Sequence, residues 1–224
     1  MQIPKATLAY LAELQKNNTR EWFHKTKETF IKEQTFIKSF HQEIIANLSK
    51  HDKIDRYKLF RIYRDVRFSK DKTPYQPHFA ASFSRKGKEL RGGYYLRIRP
   101  NNESFLGGGF WNPNKEDLLR IRKEFELDAS EIRDVVADKK FQTIFGMKLE
   151  GDKLKTAPRG FDKNHADIDL IRMKGFVAVR NYTDKEVLSA NFLESVDESF
   201  KTLRPFFDLM SAILTTNLNG ESLV

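Results

Sequence analysis

From Arg61 to Tyr75 the chain reads Arg-Ile-Tyr-Arg-Asp-Val-Arg-Phe-Ser-Lys-Asp-Lys-Thr-Pro-Tyr, five basic side chains and two acids among aromatic residues. Guanidinium forks match the paired oxygens of phosphate and carboxylate, and tyrosine adds a plane for stacking. If Leu59–Phe68 is a strand, its side chains alternate between two faces. Phe60, Ile62, Arg64, Val66 and Phe68 then share one face, which leaves Arg64 alone in an apolar row. An unpaired buried guanidinium costs on the order of several kcal/mol, so Arg64 requires an acid, an anion or a bulge that turns it outward. The opposite face carries Arg61, Tyr63 and Arg67. A strand over Tyr94–Arg99 adds Tyr95, Arg97 and Arg99, and pairing the two places about five Arg and two Tyr on one sheet face, a surface suited to a phosphorylated molecule or a nucleic-acid strand. The anion-binding set read from this pattern is Arg61, Arg64, Arg67, Lys70, Lys72, Tyr75 and Arg97. Catalysis, where such a site carries any, draws on Asp65, Asp71 or His165.

Chemistry elsewhere is sparser. Gly107-Gly108-Gly109 lacks the Lys-Ser/Thr pair that completes a P-loop and reads as a bulge or a place of close packing at a strand end. Asp162, His165, Asp167 and Asp169 are the densest group of metal-ligand types. With a single His among them, acids at a helix start explain the cluster as well. No metal and no cofactor are assigned. His78, between Pro77 and Phe79, reads as structural.

These residues need elements to position them. Leu8, Leu11 and Leu14 mark a short first helix ended by Asn17-Asn18. Asn18 with Glu21 reads as a capping box opening a longer helix, whose stripe runs from Trp22 and Phe23 through Phe30, Ile37, Phe40 and Ile44 to Leu48. Strands are expected over Leu59–Phe68, Phe79–Phe83, Tyr94–Arg99 and Ser104–Phe110, with a hairpin loop at Arg85-Lys86-Gly87-Lys88. Connections this short force antiparallel pairing. Helices return from Asn114, with capping boxes at Asp128/Glu131 and Thr183/Glu186, a small hairpin about Gly151-Asp152 and a strand at Phe176–Val179. The tail from Asn191 to Asn217 is helical, its second half opened by Pro205. The expectation is an α+β fold in one domain over residues 1–224. Its antiparallel sheet of about four or more strands lies between N-terminal and C-terminal helices.

The formal charge is +9, and it is uneven: residues 1–110 hold 22 Lys and Arg against 11 Asp and Glu, and the remainder 18 against 20. A basic half favours an anionic partner. With no Cys in the chain, disulfides, thiolate catalysis and Cys-held metal centres are excluded. No apolar leader and no stretch of about 18 apolar residues is present, so a cytoplasmic protein with no membrane partner is expected. The oligomeric state leaves no signal.

The run Arg64–Tyr75 resembles the signature of the uncharacterised family called domain of unknown function 2461. The resemblance extends to Asn17-Asn18 with Trp22-Phe23, to Gly107–Pro113, and to Pro158–Asp162, His165 and Lys174-Gly175-Phe176. It covers nearly the whole chain and implies one single-domain unit, and it brings no activity, cofactor or catalytic residue. Three readings follow from the residues: an anion-binding domain for a phosphorylated or carboxylated small molecule, a nucleic-acid-binding module on a basic Arg/Tyr sheet face, and a protein-interaction domain without a small ligand. A concave cleft at the motif would favour the first, a flat basic face the second and an exposed apolar patch the third.

Overall fold

A computed structural model describes residues 1–224. The fold is α+β: five strands, β1 (Ile54–Leu59), β2 (Phe79–Arg85), β3 (Gly93–Ile98), β4 (Ser104–Phe110) and β5 (Phe176–Tyr182), form one antiparallel sheet in the order β1-β2-β3-β4-β5, flanked by N-terminal and C-terminal helices. β4 and β5 are neighbours although residues 111–175 separate them in the chain. No helix is long and apolar enough to cross a membrane. By density of contacts the chain divides into two compact units.

The first unit comprises residues 1–83, 95–106 and 181–198. Helix α1 (Lys5–Lys16) buries Leu8, Leu11 and Leu14, the face its spacing predicts. The predicted long second helix is two helices, α2 (Arg20–Lys25) and α3 (Lys27–Leu48), broken at Thr26. Thr19, not Asn18, caps α2 by accepting the Trp22 N–H at 3.2 Å. Asn18 is free to act elsewhere, and does so at the candidate site. The buried stripe of α3 lies on the sheet, with Phe30 stacked on Phe79 at 5.9 Å and His41 edge-on to Phe83 at 5.7 Å. At the far edge of this unit Asp184 accepts from the backbone N–H groups of Asn101 (2.9 Å) and Asn102 (3.0 Å), and Asn102 returns an acceptor to Asp184 N–H at 2.8 Å. That clamp holds two non-glycine residues at φ +67° and +60°. The Thr183/Glu186 capping box opens α8 (Asp184–Val187) as expected.

The second unit comprises residues 84–94, 107–180 and 199–224. It holds α4 (Lys115–Leu127), α5 (Ser130–Ala137), α6 (Lys139–Phe145), α7 (Ile168–Ile171) and α10 (Arg204–Thr215). Pro205 lies in the first turn of α10, where a missing N–H costs nothing. α9 (Phe192–Thr202) begins in the first unit and ends in this one. The segment around Gly151-Asp152 pairs with residues 173–177, through bridges Glu150–Val177 and Lys153–Met173, and not with itself as a hairpin. The glycines of β4 serve close packing: a Cβ on Gly108 would lie 2.5 Å from Leu203 Cδ1 and 2.7 Å from Phe207 Cζ.

Arg85, read from sequence as part of a polar hairpin loop, ends β2 instead with its side chain fully buried. Its guanidinium reaches Asp208 at 2.6 Å, Arg91 O at 3.2 Å and Ser211 Oγ at 3.3 Å, and lies 5.5 Å from the Phe207 ring centroid. Asp208→Ala removes the carboxylate from this buried cation. Because Asp208 is half exposed and two acceptors remain, a loss of about 2 kcal/mol is expected, less than for a fully enclosed pair. Urea unfolding measures it, and Asp208→Asn should recover part of the loss.

Candidate functional site

The chain leaves the sheet at Phe60, whose N–H donates to Ala80 O at 2.8 Å. Residues 62–76 do not continue β1 as the strand expected over Leu59–Phe68 would. They fold back on themselves. Arg64 N–H donates to Pro74 O at 2.9 Å, Gln76 N–H to Ile62 O at 2.6 Å, and Tyr63 bridges Tyr75. The local alternation is real, with Ile62 buried and Tyr63 58% exposed, but the partner strand is the segment's own return arm. Phe68 sits beyond it in the loop, 95% exposed, beside the Arg67 guanidinium at 5.9 Å.

Asn18 anchors this loop to the helices. Its amide donates to Tyr75 O at 2.9 Å and accepts from Tyr75 N–H at 3.1 Å, a two-bond pairing of side chain to backbone. Tyr75 is thereby buried, stacked on Phe23 of α2 with ring centroids 4.1 Å apart. Between α2, the start of α3 and the loop lies a cleft of about 370 Å³. Arg20, His24, Lys27 and Arg64 line it with positive or protonatable groups, and no Asp or Glu does. Phe23, Tyr63 and Tyr75 supply its aromatic wall, with Val66 and Pro74 beside them.

Arg64 is the residue the sequence pattern left stranded in an apolar row. Its resolution is internal: the guanidinium is held by Asp71 and by Thr73 Oγ1, with the side chain 20% exposed. Asp71 is held in turn. The Thr73 N–H at 2.9 Å, the Arg64 guanidinium and the Thr73 hydroxyl hold its carboxyl down to about 2. So strongly stabilised a carboxylate is a poor proton acceptor near neutral pH, and in this geometry its oxygen holds the Arg64 guanidinium. Asp65 chelates Arg67 through 2.9 and 2.6 Å bonds. The Arg67 guanidinium lowers the Asp65 carboxyl, and both side chains are well exposed.

The other members of the sequence-derived set scatter. Lys72, itself exposed, braces the loop by donating to Val66 O at 2.9 Å. Arg61 and Lys70 are exposed and do not line the cleft. Arg97 stands on the sheet face away from the helices, 4.3 Å above the Phe105 ring and donating to Glu103 O at 3.0 Å. Because residues 61–67 leave the sheet, the face expected to hold five Arg holds Arg97 and Arg99, with Tyr95 stacked on Phe105 at 5.3 Å and Phe60 6.0 Å from Tyr95. His165 belongs to the second unit. Its Nε2 faces Glu126 O at 3.1 Å and its Nδ1 accepts from Asp167 N–H at 3.0 Å, so both ring nitrogens are engaged in bracing backbone. Asp167 and Asp169 both take the Arg133 guanidinium at 2.7 Å.

Sequence reasoning missed Arg20, His24 and Lys27. Their spacing, i, i+4 and i+7, was available as one face of a helix. What hid them was the absence of any sign that this face meets the Arg64 loop, a contact set by Asn18 gripping Tyr75.

A second cleft of about 310 Å³ lies in the other unit, with Ile132, Val136, Leu149, Leu170 and Met173 among its lining. Arg133 and Asp169 on its rim are paired with each other, while Lys148 and Lys153 also line it, without the aromatic wall of the first cleft.

Compared with known proteins, residues 6–209 match the family model described as "Conserved hypothetical protein (DUF2461)". No curated protein and no solved structure matches the chain.

Proposed function

Since this chain belongs to the DUF2461 family of conserved hypothetical proteins, whose description names no activity, its function has to be read from the site itself, and we propose that the cleft between α2 and the Arg64–Tyr75 loop binds a small phosphorylated or carboxylated molecule. The observation that carries this reading is the convergence of Arg20, His24, Lys27 and Arg64 on one concave surface without a lining carboxylate. Like charges crowded in this way raise the free energy of the empty site, and an anion relieves it. Arg64 is already oriented by Asp71 and Thr73, so the cost of ordering one donor is met before a ligand arrives. The nucleic-acid reading has less support. On the open sheet face Arg97 already lies on Phe105 and Tyr95 already stacks there, so the planes a base would use are partly taken by neighbours.

Thermal melts with phosphate, pyrophosphate and citrate at constant ionic strength test the proposal. A hundredfold excess over the dissociation constant should raise the melting temperature by about 5–10 °C for a chain of this size. The double variant Arg20→Ala/Lys27→Ala should lose the shift. Both side chains are exposed, and neither forms an ion pair, so its own stability should change by no more than about 0.5 kcal/mol. Arg67→Ala should keep the shift. No shift with any of the three anions would overturn the proposal.

A further inference from the structure

Resting on the anion-binding reading of the same cleft, we infer that its ligand is a phosphate ester carrying a planar ring, of mononucleotide size. Charge selects phosphate. Arg20, Lys27 and Arg64 present three permanent cations, and only Arg64 has an acid of its own, Asp71. A monocarboxylate would leave most of that charge crowded and uncompensated. A phosphate monoester carries about −1.5 to −2 at neutral pH and three acceptor oxygens, so it can engage all three cations.

The wall selects the ring. Phe23 and Tyr75, stacked on each other, close the back of the cleft, and Phe23 and Tyr75 are both buried. Tyr63 stands edge-on to Phe23 at 6.0 Å and 5.4 Å from Tyr75, and it remains 58% exposed. Two neighbouring rings therefore fix its plane while a large part of it stays open, which is the condition for stacking a flat ligand at little entropic cost. The volume, about 370 Å³, is at the small end of the range for ligand clefts and limits the guest to one nucleotide-sized unit.

Isothermal titration of the full chain at fixed ionic strength with inorganic phosphate, ribose 5-phosphate, AMP and adenosine tests this. AMP should bind about tenfold or more tighter than ribose 5-phosphate, the ratio that one stacked base supplies. Tyr63→Ala should erase that ratio without weakening ribose 5-phosphate, and Tyr63→Phe should keep it. Equal affinities for AMP and ribose 5-phosphate, or a ratio that survives in Tyr63→Ala, would overturn the ring while leaving the anion site standing. Citrate binding tighter than every phosphate compound would overturn the choice of phosphate. Failure of all the phosphate probes and of citrate would remove the anion site itself.

Discussion

Gly109→Ala should destabilise the protein by about 4 kcal/mol, among the larger single-residue effects expected in the fold. Gly109 has φ +146°, and a Cβ there would lie 2.2 Å from Phe176 O and 2.8 Å from Val177 Cα. Those are backbone atoms of β5 and cannot swing aside as a side chain would, so the overpacking cost adds to the conformational strain. Gly160→Ala is the control. That residue also has positive φ, +86°, but a Cβ there meets nothing within 4 Å, so about 1 kcal/mol of strain alone is expected. Urea unfolding of the two variants separates steric clash from strain. A Gly109→Ala variant no worse than Gly160→Ala would mean that β4 and β5 can part without cost.

Stability should also fall steeply between pH 6.5 and pH 4. His41 is fully buried in α3, its Nδ1 paired with the Tyr57 hydroxyl at 2.9 Å, and burial lowers its pKa to about 4. The unfolded chain takes up a proton at this residue below pH 6.5, whereas the folded chain resists until about pH 4. Stability is therefore complete above 6.5, declines across that window and levels off below it. The contribution is about 3 kcal/mol. His78 adds in the same direction, held at about 4 by burial and then by Arg97 and Arg99. Asp71 works in a lower window. Its carboxyl is held at about 2, so what it contributes is present above the ordinary carboxylate range and lost only as pH falls toward 2. Denaturation curves at pH 7, 5.5 and 4.5 measure the decline. His41→Leu should lower stability at pH 7 yet shrink the drop by about 3 kcal/mol, and an unchanged drop would assign the acid sensitivity to other groups.

The two histidines show what a sequence can and cannot announce. Periodicity placed the stripe of Ile37, Phe40, Ile44 and Leu48 on a helix, but it did not include His41, which the structure buries on the same face. The same logic located β2, β3 and β4 within a few residues, since each is bounded by Gly, Pro or Asn, although only β3 alternates along its whole length and β4 is buried from Leu106 to Phe110. It failed at Leu59–Phe68, where alternation persists but the sheet does not. Period two reports which side of an extended chain is which, and it does not say which strand lies alongside. Here the acid and hydroxyl of Asp71 and Thr73 bind backbone and Arg64 locally, so the segment pairs with its own return arm. Phe68, placed by pattern in an apolar row, ends up 95% exposed as a result. The charge of the site was legible in Arg64, Asp71 and Tyr75. Its concavity was not, because Arg20, His24 and Lys27 reach it through a single side-chain-to-backbone grip at Asn18.

The long excursion between β4 and β5 bears on the order in which the chain assembles. Hairpins such as β2–β3 and β3–β4 close over a few residues and can form early, whereas β5 finds β4 only after residues 111–175 have been gathered in, and the entropy of closing so large a loop must be met first. On that ground β5 is expected to dock late, and a docking later than the rate-limiting step would show in the unfolding rate. Contacts made by that strand, Gly109 against the Phe176 backbone among them, would weigh chiefly on how fast the native protein comes apart and only slightly on how fast it forms.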